Sequence, residues 1–427
     1  MLSLRKILKR IRSSSLAHNA SWVLFGQGLS FSCQGAYFIM LARLLGSVEY
    51  GIYAGAFAMV TIVSVYSPLG SPFTLIRHVS SCPQEFAFYW GNVLATIVGL
   101  GSFLINILVW VVPRLAHSCA WQLVLCVAVG DCFFGQLVDA SSRVFQAFEK
   151  MWITAFLNSS TNLLRSMLAA LMLWRLHHAT ALEWATGTLA ISFLACCLSL
   201  TLVTLQFGKP ALSLRLLRDR LGEGCVFAFS SSTMGISNNV DKAMLAHYGM
   251  NAANGIYTTA YRIVDICTAP ITSIHAAAFP TFFRKGLGGV SNNIEFALHI
   301  LRRTAPIAMA FAGAMALAAP IIPRLVGPSF SQSVLALRLL CILPVFRSLQ
   351  LSAGDALTGC GFLRLRLAMQ VAAAAFNFGI NLYLIPRYGW VGAGWSSLAT
   401  DGLLGASSWL ALLSVRRTVS ELQPVGT

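Results

Sequence analysis

The pattern of apolar and polar positions divides the chain into twelve long apolar runs: 22–42, 52–73, 88–112, 121–140, 152–174, 185–207, 226–248, 256–280, 304–323, 333–357, 367–385 and 391–413. A helix rises about 1.5 Å per residue, so about 20 apolar residues cross the hydrocarbon core of a bilayer. Runs of this length, bounded by charge, Pro or Gly, predict about twelve membrane-spanning helices. Two other segments carry a narrower stripe. In MLSLRKILKRIR, Leu4, Ile7, Leu8 and Ile11 recur at helical spacing, opposite Arg5, Lys6, Lys9, Arg10 and Arg12. ALSLRLLRDRLGEG at 211–224 reads the same way. Both fit helices lying on a membrane surface. The second separates the sixth run from the seventh. The expected organisation is an N-terminal lobe over 1–207, a cytoplasmic linker over 208–224 and a C-terminal lobe over 225–427.

Composition removes the soluble alternatives: 57% of residues are apolar, 10% are charged, and the mean hydropathy is +0.72. Soluble domains present far more charge to water. The first run is too long for the apolar region of a signal peptide, and no small-residue cleavage site follows it. Charge sets the orientation. With the N-terminus in the cytoplasm, 20 of the 30 Lys and Arg residues fall on that side. Only Arg43, Arg114, Arg175, Arg324 and Arg387 fall opposite, while Arg165, Lys242, Arg262, Arg338 and Arg347 lie inside runs. This asymmetry predicts cytoplasmic termini at both ends. The net charge of +16 therefore reports topology and contact with anionic lipid. Nucleic acid is not an expected partner, because no solvated basic stripe with interleaved aromatics occurs.

The chain also repeats itself. MLARLLGSVEYGIY at 40–53 and MLAHYGMNAANGIY at 244–257 share Met-Leu-Ala and Gly-Ile-Tyr at a constant offset of 204, extended by Ala56/Ala260 and Val60/Val264. The offset relates two halves in the same orientation, as in transporters built from parallel repeats. The copies differ in charge. Asp241 and Lys242 stand where the first copy has Tyr37 and Phe38, and Arg262 and Asp265 stand where it has Ala58 and Thr61.

An ionisable residue in a span costs at least about 2.5–3.5 kcal/mol, so charges confined to one copy need a local reason. One reason is mutual neutralisation, with Arg262 and Asp265 one turn apart and Asp241 or Lys242 reaching across to them. The other is a hydrated cavity. Polar stripes fit the cavity: Gln27, Ser30 and Gln34 in the first run, Ser231 and Asn238 in the seventh, Asn158, Asn162 and Arg165 in the fifth, and Gln370, Asn377 and Asn381 in the eleventh. A single stripe is more often hydrogen bonding between helices, but four of them in both halves favour a hydrated interior. Asp131, Asp241, Asp265, Asp355 and Asp401 nearly balance the five cations. Arginine's planar fork suits phosphate, so the balance leans towards an anionic cargo.

Other chemistry is absent from the pattern. The eleven cysteines form no CxxC, no metal site is legible, and His275 stands alone in the eighth run. No G-x-x-x-x-G-K-[ST] occurs, which argues against ATP-driven transport in cis, and GLGG at 286–289 lacks the strand a dinucleotide fingerprint needs. The loops are too short to house a glycosyltransferase or polymerase. Gly51 and Gly55 form a GxxxG suited to close helix packing.

ARLLGSVEYGIYAGAFAMV followed by PLG, DKAMLAHYGMNAANGIYTTAYRIV followed by Pro270 and Pro280, and NLYLIPRYGWVGAGWSSLAT together resemble the polysaccharide-biosynthesis flippases, the O-antigen or Wzx-type branch of the multidrug/oligosaccharidyl-lipid/polysaccharide exporter superfamily. The resemblance covers essentially the whole chain and rests on loop and packing motifs. It implies an all-α polytopic fold of two pseudo-symmetric six-helix lobes around a central cavity. It also implies transfer of an undecaprenyl-diphosphate-linked oligosaccharide across the bacterial inner membrane, without enzymatic chemistry or a cofactor. Polymerase and chain-length proteins of the same glycan pathway are the partners such a role implies. Asp241 and Lys242 fall on the family's acid-base pair, Arg262 follows the GIYTTAY motif where a base is common, and Arg43 and Glu49 stand in its R-LG-x-x-E-Y-G turn.

The expected cargo contacts are Arg262, Lys242, Arg165, Arg347 and Arg338. Asp241, Asp265, Gln27, Gln34, Asn238, Asn158 and Asn162 complete the polar lining, and Asp131 or Asp401 is the coupling group for an ion gradient. The alternative is an ion-coupled multidrug exporter of the same superfamily.

Overall fold

The computed structural model describes residues 2–176 and 178–422, without the side chains of 2–27, 29, 31, 214, 226, 230, 231, 233, 234, 237 and 418–422. The basic stripe of residues 1–12, Gln27, Ser231 and His177 thus lie outside what is described. Every regular element among the described residues is helical: α1 Leu2–Ser64, α2 Ser71–Val79, α3 Phe86–Leu115, α4 Trp121–Ala128, α5 Gln136–Ala147, α6 Met151–Arg175, α7 Ala181–Phe207, α8 Leu214–His247, α9 Asn251–Gly286, α10 Val290–Ala318, α11 Ile322–Val326, α12 Ser333–Leu340, α13 Leu343–Gly359, α14 Leu363–Tyr388 and α15 Trp390–Leu422, with short 3-10 and π segments between some of them.

Among the described residues, nine helical stretches are long and apolar enough to cross a membrane. The chain is a multi-pass membrane protein. The first two apolar runs share the single stretch in α1, which breaks at Gly46 (φ 68°, ψ 177°). The fifth run is α6, whose 25 residues suffice in length but include Asn158, Ser159, Ser160, Thr161, Asn162 and Arg165. The seventh lies in α8, which opens with Arg215, Arg218, Asp219, Arg220 and Glu223.

Two boundaries differ from the sequence reading. The second run does not stay helical to residue 73: α1 stops at Ser64, and the chain turns through Leu69 (φ 45°) and Gly70 (φ 69°) into α2. Pro68 lacks the N–H a continuing helix would need, and the left-handed Gly70 completes the turn. The amphipathic 211–224 segment also does not end before the seventh run, because α8 continues unbroken from Leu214 to His247.

The chain divides into two compact units, residues 1–45 with 55–235, and residues 46–54 with 236–427. In the first, Trp90, Ile97, Val144, Phe145 and Leu157 are sealed in a core built on α3, α5 and α6. Thr180 and Glu183 form a capping box at the start of α7, each side chain bonding the other's backbone N–H. In the second, Phe282, Ala297, Ala353, Leu357 and Leu412 join α9, α10, α13 and α15.

The repeat meets itself inside the second unit. A Cβ on Gly51 would lie 1.8 Å from the Asn251 carbonyl oxygen, and a Cβ on Gly255 would lie 2.0 Å from that of Ser47. Ser47 and Asn251 are themselves related by the offset of 204, so the contact is reciprocal. This is the self-complementary geometry of a local two-fold. Asn254 adds a hydrogen bond from Nδ2 to the Gly51 carbonyl at 3.0 Å.

Candidate functional site

The charges of the second repeat copy gather in the second unit. Asp241 on α8 is 1% exposed. Its carboxylate accepts from the Tyr257 hydroxyl, from Ser397 Oγ at 3.3 Å and from the Lys242 backbone N–H at 3.1 Å. Tyr257 and Ser397 are also 2.9 Å apart, so three helices converge on this one acid. The buried carboxylate is thus supplied with the donors that burial demands.

One residue along, Lys242 Nζ donates to the Asn238 carbonyl at 2.7 Å and sits 4.5 Å from the centre of the Tyr261 ring. An ammonium carries three donors, and the Asn238 carbonyl takes one. Arg262 lies within electrostatic reach of Lys242.

Arg347 on α13 organises the other side. Its guanidinium donates to Asp265 Oδ1 at 2.9 Å and to the Tyr261 hydroxyl at 2.9 Å, and its Nε stands 3.5 Å from Asp401 Oδ2. Asp265 is therefore the partner of Arg347, from another helix. Three acids and three bases stand together here, with Tyr261 between Lys242 and Arg347. Beside them runs a buried polar thread in which Asn377 donates to Thr400 at 3.1 Å, Asn381 to Asn377 at 3.0 Å and Ser396 to Asn381. Asn377 and Asn381 thus join α14 to α15.

The first unit holds a separate acid. Asp131 lies in a π-helical segment, Val129–Gly135, between α4 and α5. Thr61 donates to its Oδ2 at 3.4 Å, Ser67 Oγ donates to the Cys132 carbonyl at 2.6 Å, and Arg165 lies within electrostatic reach. Arg165 Nε is buried without a hydrogen-bond partner. A π segment widens the helical turn and is frequent at functional sites. Asn162 donates to Ser30 at 2.6 Å and to the Asn158 carbonyl, tying α6 to α1, while Asn158 itself is exposed and Gln34 is half-buried.

Arg338 is not brought to the second-unit cluster. It is exposed on α12, with Nε 3.4 Å from the Ala316 carbonyl. Asn238 contributes its backbone carbonyl while its side chain is exposed. Sequence reasoning missed Tyr257, Tyr261 and Ser397, although GIYTTAY and GAGWSSLAT both stood among the recognised motifs. It also missed a cluster around His275, whose Nδ1 lies 3.1 Å from Asp355, itself paired with Arg366 at 3.1 Å.

The profile of the family described as "polysaccharide biosynthesis protein" matches residues 16–285, more than half of the chain. The chain belongs to this family. No curated protein matches it. Among solved structures, it is similar to a multidrug resistance MATE family transporter of the MOP superfamily in an inward-facing conformation, with a TM-score of 0.76 and 15% identity over 92% of this chain and 96% of that one. The lipid II flippase MurJ in an inward closed conformation gives a TM-score of 0.70 at 15% identity, over 93% of this chain and 87% of that one. The MATE multidrug transporter DinF-BH gives 0.66 at 16% identity, over 94% and 95%. These likenesses establish the fold, an all-helical membrane architecture.

Proposed function

We propose that this chain is a flippase that moves an undecaprenyl-diphosphate-linked oligosaccharide across the bacterial inner membrane by alternating access, with its termini in the cytoplasm. The family match carries the reading, and the second-unit cluster supplies its chemistry. Lys242 and Arg262 attract the diphosphate, because an ammonium or guanidinium donates charge-assisted hydrogen bonds to phosphate oxygens. Arg347 holds Tyr261 and the acids in place beside them. Arg165 adds a cation in the first unit, and Arg338, exposed on α12, stands outside the second-unit cluster. Asp131 and Asp401 are the groups for ion coupling. The halves 1–207 and 225–427, joined through 208–224, act as the two lobes of the transporter. The chain catalyses no covalent step, and its pathway partners are the polymerase and chain-length proteins of the same glycan.

Deleting the gene in the native host tests this reading. The expected result is loss of surface glycan with lipid-linked oligosaccharide accumulating on the cytoplasmic face. The likeness to multidrug transporters supports a second reading, an ion-coupled multidrug exporter. That reading expects unchanged glycan and heightened sensitivity to cationic dyes.

A further inference from the structure

We propose that the cleft bounded by α2, α3 and the first turns of α8 binds the headgroup of an anionic phospholipid. This inference stands apart from the transport reading. The cleft is shallow and open at its mouth, and is lined by Thr74, Tyr89, Asn92, Leu217, Arg220 and Leu221 among others. Hydroxyl and amide groups thus face leucines and one guanidinium.

The cleft is built by close backbone approaches at both ends. At one end, a Cβ on Gly91 would lie 2.1 Å from the Ala211 carbonyl oxygen. There Ala211 N–H donates to the Ala87 carbonyl at 2.9 Å, and Ser213 N–H donates to Asn92 Oδ1 at 3.1 Å. At the other end, a Cβ on Gly224 would lie 2.4 Å from the Leu69 carbonyl oxygen. Glycine at each crossing lets α8 sit against α2 and α3 and fixes the width of the cleft.

Charge and hydrophobicity select the occupant. Glu223 takes Arg77 at 2.9 Å and Arg220 at 3.7 Å, with His78 at 3.4 Å. Arg77, Arg215, Arg218 and Arg220 outnumber Glu85, Asp219 and Glu223 by one, so the patch keeps a net positive charge even with His78 neutral. Tyr89 lines the cleft with Arg220 and stacks on His78 at 5.2 Å. Arg215 and Arg218 are exposed on the same helix, beside exposed Leu212 and Leu221. Basic and apolar side chains exposed together mark a helix at the lipid interface. A phosphodiester fits the Arg220 fork, and its acyl chains lie along Leu212 and Leu221.

The test uses the purified full chain, supplied with phosphatidylglycerol or phosphatidylcholine and read by native mass spectrometry. Wild type retains phosphatidylglycerol over phosphatidylcholine. Arg220→Glu lowers that retention about tenfold or more, as loss of a charge-assisted contact implies. Leu221→Trp, which fills the mouth, lowers it too, while Arg302→Glu on α10 leaves it unchanged. If the charge reversal beside Glu223 lowers the melting temperature, Arg220→Gln replaces it. Wild-type retention in these cleft variants, equal loss in Arg302→Glu, or displacement by inorganic phosphate alone would overturn the assignment.

Discussion

The two repeat copies are alike where helices touch and unlike where charge sits. Leu41 and Leu245, Ala42 and Ala246, Ala56 and Ala260, and Val60 and Val264 are all buried, and each pair follows the offset of 204. Gly51 and Gly255 meet by the same rule. Thr61 and Asp265 also correspond, yet Thr61 donates to Asp131 whereas Asp265 pairs with Arg347. Phe38 is buried where Lys242 presents an ammonium. Packing within a membrane depends on close surface fit, which both copies keep. Charge in a span must be offset by a local partner, and Asp241 and Asp265 of the second copy find theirs in Tyr257, Ser397 and Arg347.

The sharpest way to break the shared part is to fill the glycine crossing. Gly51→Val and Gly255→Val each drive a side chain into backbone, and each is expected to destabilise by more than about 4 kcal/mol. Membrane abundance and melting temperature should collapse for both. Survival of one and loss of the other would end the two-fold description of this contact.

The unshared part breaks next at Arg347, whose removal leaves Asp265 and Asp401 without their cation. Breaking a buried pair costs about 3–5 kcal/mol, and the 44% exposure of Asp265 places Arg347→Ala at or below the lower end. Arg347→Lys keeps the charge but loses the fork, and should recover part of the melting temperature. Arg262→Ala should differ in kind, reducing glycan export severalfold with membrane abundance unchanged. Normal export from that variant would remove charge-guided binding from the account.

The smallest effect lies outside the spans, at Glu223. Burial opposes its ionisation, but the His78 hydrogen bond and the Arg77 charge prevail and hold its carboxyl below the usual glutamate value. A lowered folded-state value stabilises above the unfolded value, and that stability is lost as pH falls through the folded one. The melting temperature of wild type should therefore drop slightly more than that of Glu223→Gln as pH is lowered below the ordinary carboxylate range. Parallel curves would assign the contact no stability.

How much of this was legible beforehand follows from the range of the forces involved. Apolar run length reports a one-dimensional property, bilayer thickness, so the helical membrane fold was readable without knowing any contact. The repeat was readable because Gly51 and Gly255 serve a backbone approach that no other residue satisfies. Interhelical partners were not, since a separation of 82 positions between Asp265 and Arg347 carries no periodic signal. The one-turn spacing pointed Asp265 to Arg262 on its own helix, and gave no sign of Arg347, which reaches Asp265 and Tyr261 from another helix. The turn at Leu69 and Gly70 was hidden for another reason: its flanks are apolar enough to prolong a run that the backbone ends.

The most direct measurement reconstitutes the purified chain in vesicles loaded with undecaprenyl-diphosphate-linked oligosaccharide and follows how much becomes accessible to an added glycan-trimming enzyme. The account predicts that wild type exposes the inner-leaflet pool, and that Lys242→Gln combined with Arg262→Ala does not at equal protein content. Vesicles in which the wild-type chain leaves that pool protected, yet moves a cationic dye along an ion gradient, would contradict it.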